Sequence, residues 1–235
     1  MTRLRALSLA HDDCSHSGQI GVCLEDRGIA VDEHIVCADV ARPDQPTAFP
    51  DYSDYDLIVP MGSIWSVYDT ATIGSWIADE LRLLRSAHEQ GTPVLGICFG
   101  GQALAAALGG RVEPSPETEI GWYEICGPDN PVGVGPWMQW HHDRFELPPG
   151  AQLLAETAAA PQLFVIGKSA GTQFHPEVDV PHIESWLDHA TDDYLAEHGV
   201  SAEEVRADVA LHEERNAAQC GTLIEWFLGD VAGLT

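Results

Sequence analysis

Positive charge is scarce in this chain. Lys and Arg together number 11 against 37 Asp and Glu in 235 residues, Lys168 is the only lysine, and the formal net charge is -26. Such a surface repels a phosphate backbone, so nucleic acid is excluded as a partner. The imbalance itself implies a solvated acidic face and no particular ligand. Long apolar runs are missing too. No window approaches the ~18 consecutive apolar residues of a membrane span. The apolar stretch of MTRLRALSLAHDDC is cut short by His11, Asp12 and Asp13, so it lacks a signal peptide's core. Cys14, Cys23, Cys37, Cys98, Cys126 and Cys220 form no CxxC pair, and a chain of this length needs no disulfide staples. A soluble cytoplasmic protein with free thiols and no membrane partner is expected. Repeats, low-complexity tracts, linkers and a P-loop are also lacking.

What is there alternates between strand and helix patterns. Residues 4–9 and 31–36 read as short buried strands, with a helix over 18–27 between them that stops at Gly28. Residues 41–56, rich in Pro, Asp and Tyr, read as a surface loop, and residues 57–59 as a third strand running into Met61, Gly62 and Ser63. The spacing of Ile73, Ile77, Leu81, Leu84 and Ala87 predicts one amphipathic helix over 73–88, closed by Gly91 and Pro93. A strand over 94–97 and a small-residue helix over 102–108 follow. Beyond residue 110, strand-like pieces at 122–126 and 163–166 are expected to finish the sheet and its edge. From residue 181 the chain reads as helical again. This order predicts an α/β protein built on an open, mainly parallel sheet with helices on both faces, whose ligands bind at the carboxyl ends of the strands.

One such end carries GICFGGQ, residues 96–102. A strand, then Cys98, then a glycine-bracketed helix start is the pattern of a nucleophile elbow, in which a tight turn lifts the side chain off the sheet. The helix amino terminus supplies N–H donors and positive potential that favour a thiolate. A thiol nucleophile needs a base, and TQFHPEV, residues 172–178, offers His175 with Glu177 two positions on. In an extended segment residues two apart point the same way, so Glu177 can hold one imidazole nitrogen while the other faces sulfur.

GxCxGxQ and FHPE in this order resemble the signature of class I glutamine amidotransferases. PMGSIWSVYD (60–69), PVLGICFGGQALAAALGG (93–110), EIGW (119–122) and WHHDRFELPPGA (140–151) also fall in that family's order. These segments look most like the stand-alone group related to the glutaminase domain of GMP synthase. The resemblance implies a flavodoxin-like sheet and a single domain over residues 1–235 with a helical C-terminal segment from about 181. It further implies that Cys98 attacks the side-chain amide of glutamine, that His175 carries protons and that Glu177 orients His175. The oxyanion hole would use the N–H groups of Gly62 and Phe99, while Gln102 and the backbone around Trp140 and His141 would hold the substrate. No metal or other cofactor is implied. Two departures stand out. Gly101 replaces a His common in the family, and Met61-Gly62-Ser63 replaces the commoner Gly-Gly-Pro.

Other clusters carry blander expectations. His11, Asp12, Asp13, Cys14 and His16 lack a recognised ligand spacing and read as a solvated polar loop. His141, His142 and Asp143 border the implied glutamine pocket, and Trp65, Trp76, Trp186 and Trp226 read as core or rim packing. Two main functions compete. One is a glutaminase subunit that supplies ammonia to a separate synthetase; the other is a free-standing hydrolase of γ-glutamyl amides or conjugates. A non-catalytic protein of the same fold is disfavoured by the presence of Cys98, His175 and Glu177 together. A different elbow-cysteine α/β protein is disfavoured by Phe99, where such proteins commonly carry His.

Overall fold

The computed structural model describes residues 3–234. Strand β1 (Arg5–Ala10), helix α1 (Gly18–Asp26) and strand β2 (Ala30–Ile35) open the chain. β3 (Leu57–Pro60), α2 (Thr70–Ile73), α3 (Ile77–Gln90), β4 (Val94–Ile97) and α4 (Phe99–Ala107) follow. Next come β5 (Arg111–Tyr123), β6 (Trp137–Glu146), β7 (Gln152–Glu156), β8 (Pro161–Ile166) and β9 (Ser169–Thr172). Helices α5 (Val180–His189), α6 (Asp192–Glu197) and α7 (Ala202–Trp226) close it, the last running into a π-helical turn at Phe227–Ala232.

Seven strands form one sheet in the order β2-β1-β3-β4-β9-β8-β7. The first five run parallel, and β8 and β7 are added antiparallel at one edge. Because side chains alternate across a strand, the sheet has two apolar faces. Leu7, Leu9, Ile58 and Val94 pack with Ile77, Leu84, Phe99 and Leu104 of α3 and α4. Ala6, Leu57, Val59, Leu95 and Ile97 pack with Ile20 and Leu24 of α1 and Ile224 of α7. Each fully buried Leu or Ile contributes ~1.5–3 kcal/mol, which is what holds helices to both faces. Among the described residues no helix is long and apolar enough to cross a membrane, and all six cysteines are unbridged.

Two expectations need correction. The single helix over 73–88 is two: α2 starts at an Asp69 cap, and α3 begins afresh at Ile77. Trp76 makes the break. Its φ of -138° is not helical, its ring is buried, and its indole N–H donates to the Pro43 carbonyl at 3.2 Å. The segment after residue 110 does not simply finish the sheet either. β5 and β6 form a separate antiparallel ribbon with a bulge between Pro114 and Glu119. Pro114 and Pro116 carry no N–H, which suits a two-stranded ribbon and not the middle of a sheet. The strand expected at 122–126 is therefore the end of β5, and Cys126 makes only an isolated bridge to Glu156.

Candidate active site

Parallel strands bring the carboxyl ends of β1, β3, β4 and β9 to one edge of the sheet, and a cavity of about 430 Å³ opens there. Cys98, His175 and Glu177 all line it, and each is buried. Cys98 caps α4 with φ 49° and ψ -107°, the only positive φ at a non-glycine among the described residues. An L-residue in this region costs on the order of 1–3 kcal/mol, so the surroundings must enforce the turn. The Cys98 N–H donates to the Thr172 carbonyl at 2.9 Å. A Cβ on Gly100 would come within 2.0 Å of the Pro60 carbonyl oxygen, and one on Gly101 within 2.4 Å of the Thr172 carbonyl oxygen. The departure at Gly101 thus belongs to the packing of α4 on β9.

His175 and Glu177 are joined at 2.7 Å between Nδ1 and Oε1. The other nitrogen, Nε2, is buried with no hydrogen-bond partner. Burial pushes the imidazole's pKa down, but the Glu177 carboxylate and the Cys98 sulfur overrule it, so His175 titrates well above an ordinary histidine. The His175 N–H donates to the Met138 carbonyl at 2.9 Å, and the Glu177 carbonyl accepts from the Gln19 N–H at 3.0 Å. Asn216, fully buried on α7, donates to the carbonyls of Pro176 and Val178 at 3.1 and 2.8 Å. The C-terminal helix therefore braces the segment that carries the imidazole.

Gly62 follows β3 and packs on His175, where an added Cβ would lie 3.3 Å from Cε1. Its preceding carbonyl, on Met61, accepts from the Gly100 N–H at 3.0 Å. Phe99 is the first residue of α4 and its ring is buried. Gln102 lines the cavity, but its amide nitrogen is already donated to the Asp143 carbonyl at 3.1 Å and to Gln173 Oε1 at 3.3 Å. The His141 side chain is likewise committed, to Glu119 at 2.9 Å and the Asp143 carbonyl at 2.9 Å. Trp140 lines the cavity and meets Trp186 edge to face at 5.6 Å.

Gln173, His189, Thr191 and Tyr194 were not singled out from the sequence, whereas Asp143 and Trp186 were expected at the pocket border or rim. Gln173, with no exposed surface, donates to Cys98 Sγ at 3.5 Å. The signal was present in the spacing: Gln173, His175 and Glu177 are two apart, although the chain bends after β9 and turns at Pro176 and Glu177. Asp143 accepts from Ser66 Oγ at 2.5 Å and Tyr68 Oη at 2.8 Å, tying the loop after β3 to β6. From the C-terminal helices, Trp186, His189, Thr191 and Tyr194 reach the same cavity, and Trp186 stands edge-on to His175 at 4.8 Å. Trp65 shares that wall, Trp76 is core, and Trp226 packs against the sheet from α7.

The cluster expected to be a solvated loop is instead buried in part and divided. His11 turns inward to Gly62 and Glu80, His16 pairs with Glu33 at 2.5 Å, and Asp12 accepts from the Cys14 N–H and Ser15 Oγ. Asp13 and Cys14 meet His189, with their donor atoms within 4.8 Å of one another.

The profile of the family described as glutamine amidotransferase class-I matches residues 31–184, a span holding Gly62, Cys98, His175 and Glu177. The chain belongs to the class I glutamine amidotransferase family. The chain is 37% identical over 158 residues to a glutamine-hydrolysing GMP synthase of Thermomicrobium roseum, covering 63% of this chain and 28% of that protein. The GMP synthase of Ralstonia pickettii is 38% identical over 117 residues, 42% of this chain and 22% of that one. The chain thus spans less than a third of the length of these curated relatives. A glutamine amidotransferase structure from Thermotoga maritima superposes with a TM-score of 0.83 at 24% identity, covering 97% of this chain and 99% of that one. At that identity the likeness speaks for the fold.

Proposed function

We propose that the protein hydrolyses the side-chain amide of glutamine through Cys98, His175 and Glu177, acting as one glutaminase domain over residues 1–235, in the cytoplasm, for a separate synthetase. The observation that carries this reading is the buried imidazole held by Glu177 on one nitrogen, free on the other, beside a cysteine in an enforced elbow. Cys98 sulfur attacks the amide carbon, and its proton resides on His175. The carbonyl electron pair moves to oxygen. There the N–H of Phe99 and that of Gly62 receive it. In the planar trans peptide the Gly62 N–H lies opposite the Met61 carbonyl, which is tied to the Gly100 N–H, so this donor is held in one orientation.

Collapse of this intermediate breaks the C–N bond, and ammonia leaves with the proton from His175. A glutamyl thioester remains. Water then attacks it while His175 accepts the water's proton, and glutamate leaves as the Cys98 thiol is restored. No step requires a metal or an organic cofactor. The synthetase belongs to the proposal because the curated relatives are glutamine-hydrolysing GMP synthases of which this chain matches less than a third.

A second reading has an observation of its own. The cavity of about 430 Å³ carries Trp65, Trp140, Trp186 and Tyr194 on its walls, and such a volume lies in the range that encloses drug-sized ligands (~300–1,000 Å³). That is more room than free glutamine needs, so a free-standing hydrolase of larger γ-glutamyl amides fits it. Steady-state assay of the purified chain against glutamine and a panel of γ-glutamyl amides, with ammonia and glutamate both measured, decides between them. Slow turnover of glutamine that rises with a synthetase supports the first reading. Fast turnover of a larger γ-glutamyl amide replaces it with the second, and no turnover of any amide refutes both.

A further inference from the structure

We infer that His11, backed by Glu80, is a positioning residue that locks the Gly62–Ser63 peptide so that the oxyanion loop cannot turn its carbonyl toward the reacting centre. The inference rests on the glutaminase reading and adds a residue pair outside the triad.

His11 and Glu80 have no exposed side-chain surface. His11 Nδ1 lies 2.8 Å from the Gly62 carbonyl oxygen and Nε2 lies 2.9 Å from Glu80 Oε1. The Gly62 carbonyl can only accept, so this contact is a hydrogen bond only when Nδ1 carries a proton, and beside an ionised Glu80 the ring carries one on each nitrogen. Electrostatics agree: burial opposes the charged ring, but the Glu80 carboxylate, the Gly62 carbonyl and Asp12 together raise the His11 pKa above the ordinary value. A buried ion pair with no surface role is costly to build, which gives its placement meaning. The ring is held from the sides by Trp76, stacked at 5.8 Å, and by Phe99, edge-on at 4.6 Å. His11 therefore touches both residues whose N–H groups form the proposed hole.

The consequence follows from peptide geometry. The Gly62 carbonyl accepts from His11 and from no other group among the described residues. In a planar trans peptide, holding that carbonyl toward His11 aims the Ser63 N–H the opposite way. Met61 and its tie to Gly100 fix the peptide before it in the same manner. Without His11, rotation of the Gly62–Ser63 unit is opposed by ψ of Gly62 and φ of Ser63, and the glycine opposes its share least. A turned peptide would bring the Gly62 carbonyl, an acceptor, toward the developing oxyanion and oppose the charge that the Gly62 and Phe99 N–H groups receive.

The aldehyde analogue of glutamine tests this without turnover. Cys98 sulfur adds to its carbonyl carbon, the π pair moves to oxygen, and the resulting oxyanion occupies the hole while the thiol proton goes to His175. Its affinity is measured by isothermal titration for the wild type, His11→Leu and His11→Asn. Both variants lose the contact to Glu80 and both lose thermal stability, but only Asn keeps a donor where Nδ1 stood. The expected result is a loss of roughly 10²–10³-fold in aldehyde affinity for His11→Leu, the scale of one oxyanion donor, and recovery of most of it in His11→Asn. Glutamine binding in a Cys98→Ala background, where no oxyanion forms, is expected to be unchanged by either substitution.

Equal aldehyde affinity in His11→Leu and wild type, or equal losses in Leu and Asn, would overturn the lock alone. Failure of the wild type to form the adduct would overturn the glutaminase reading and the lock with it. Nitrogen NMR of histidine-labelled wild-type protein stands independently of whether the variants fold. Nδ1 of His11 is expected to bear a proton at neutral pH, and a bare Nδ1 would refute the inference.

Discussion

Replacing Glu177 by Ala isolates one interaction. The wild-type carboxylate accepts from His175 Nδ1 at 2.7 Å, and both side chains are almost wholly shielded from solvent. A hydrogen bond to a charged group contributes ~1.5–3 kcal/mol, and each ~1.36 kcal/mol is tenfold in rate. The rate at which a diazoketone analogue of glutamine labels Cys98 is therefore expected to fall about ten- to hundredfold. His175→Ala, which removes the ion-pair partner itself, is expected to cost more, in the ~10²–10⁴ range of a lost acid–base group. The pH profile should move as well. Burial lowers the His175 pKa, while Glu177 and Cys98 raise it well above ordinary. Without Glu177 burial gains, and the imidazolium is lost at a lower pH, so the alkaline limb of labelling shifts toward acid. Stability follows the same linkage. A pKa raised in the folded state stabilises fully below the unfolded value near ~6.5 and loses that contribution as pH rises through the folded value. The gap in melting temperature between wild type and Glu177→Ala should thus be widest in mildly acidic buffer and narrow with rising pH. Wild-type labelling rates and an unmoved alkaline limb in Glu177→Ala would refute the assigned role.

The same diazoketone should add once per chain, at Cys98, with excess glutamine protecting; peptide mass mapping that finds the adduct on Cys14, Cys23, Cys37, Cys126 or Cys220 would contradict the site. Cys14 in particular is held back, since burial and its acidic neighbours push its pKa up to about 11. Chelators should leave glutamine hydrolysis unchanged, because attack by sulfur needs no Lewis acid; a loss of activity restored by zinc would direct attention to Asp13, Cys14 and His189. Gly101→His, which restores the commoner family residue, should lower stability by ~1–3 kcal/mol. The new Cβ would stand 2.4 Å from the Thr172 carbonyl oxygen, and a urea midpoint equal to wild type would show that α4 moves freely on β9.

Local pattern was enough for the alternation of strands and helices through residue 110, for the elbow at Cys98 and for the pairing of His175 with Glu177. Each depends on neighbours within a few residues: side-chain period along a strand, a turn that only small residues tolerate, and two side chains two positions apart in one short segment. Gln173 was readable by the same rule. Other features depend on contacts between distant parts of the chain. The break before α3 exists because Trp76 reaches Pro43, 33 positions away. His11 read as part of a polar loop because nothing near it in sequence reveals Glu80, 69 positions on. Trp186, His189 and Tyr194 belong to helices whose own periodicity says only that they have a buried side; packing of α5 on α7, with Asn216 fastening the segment just before α5, turns that side to the cavity. Periodicity reports which side of an element is buried, whereas the partner on that side is chosen by the closure of the whole sheet.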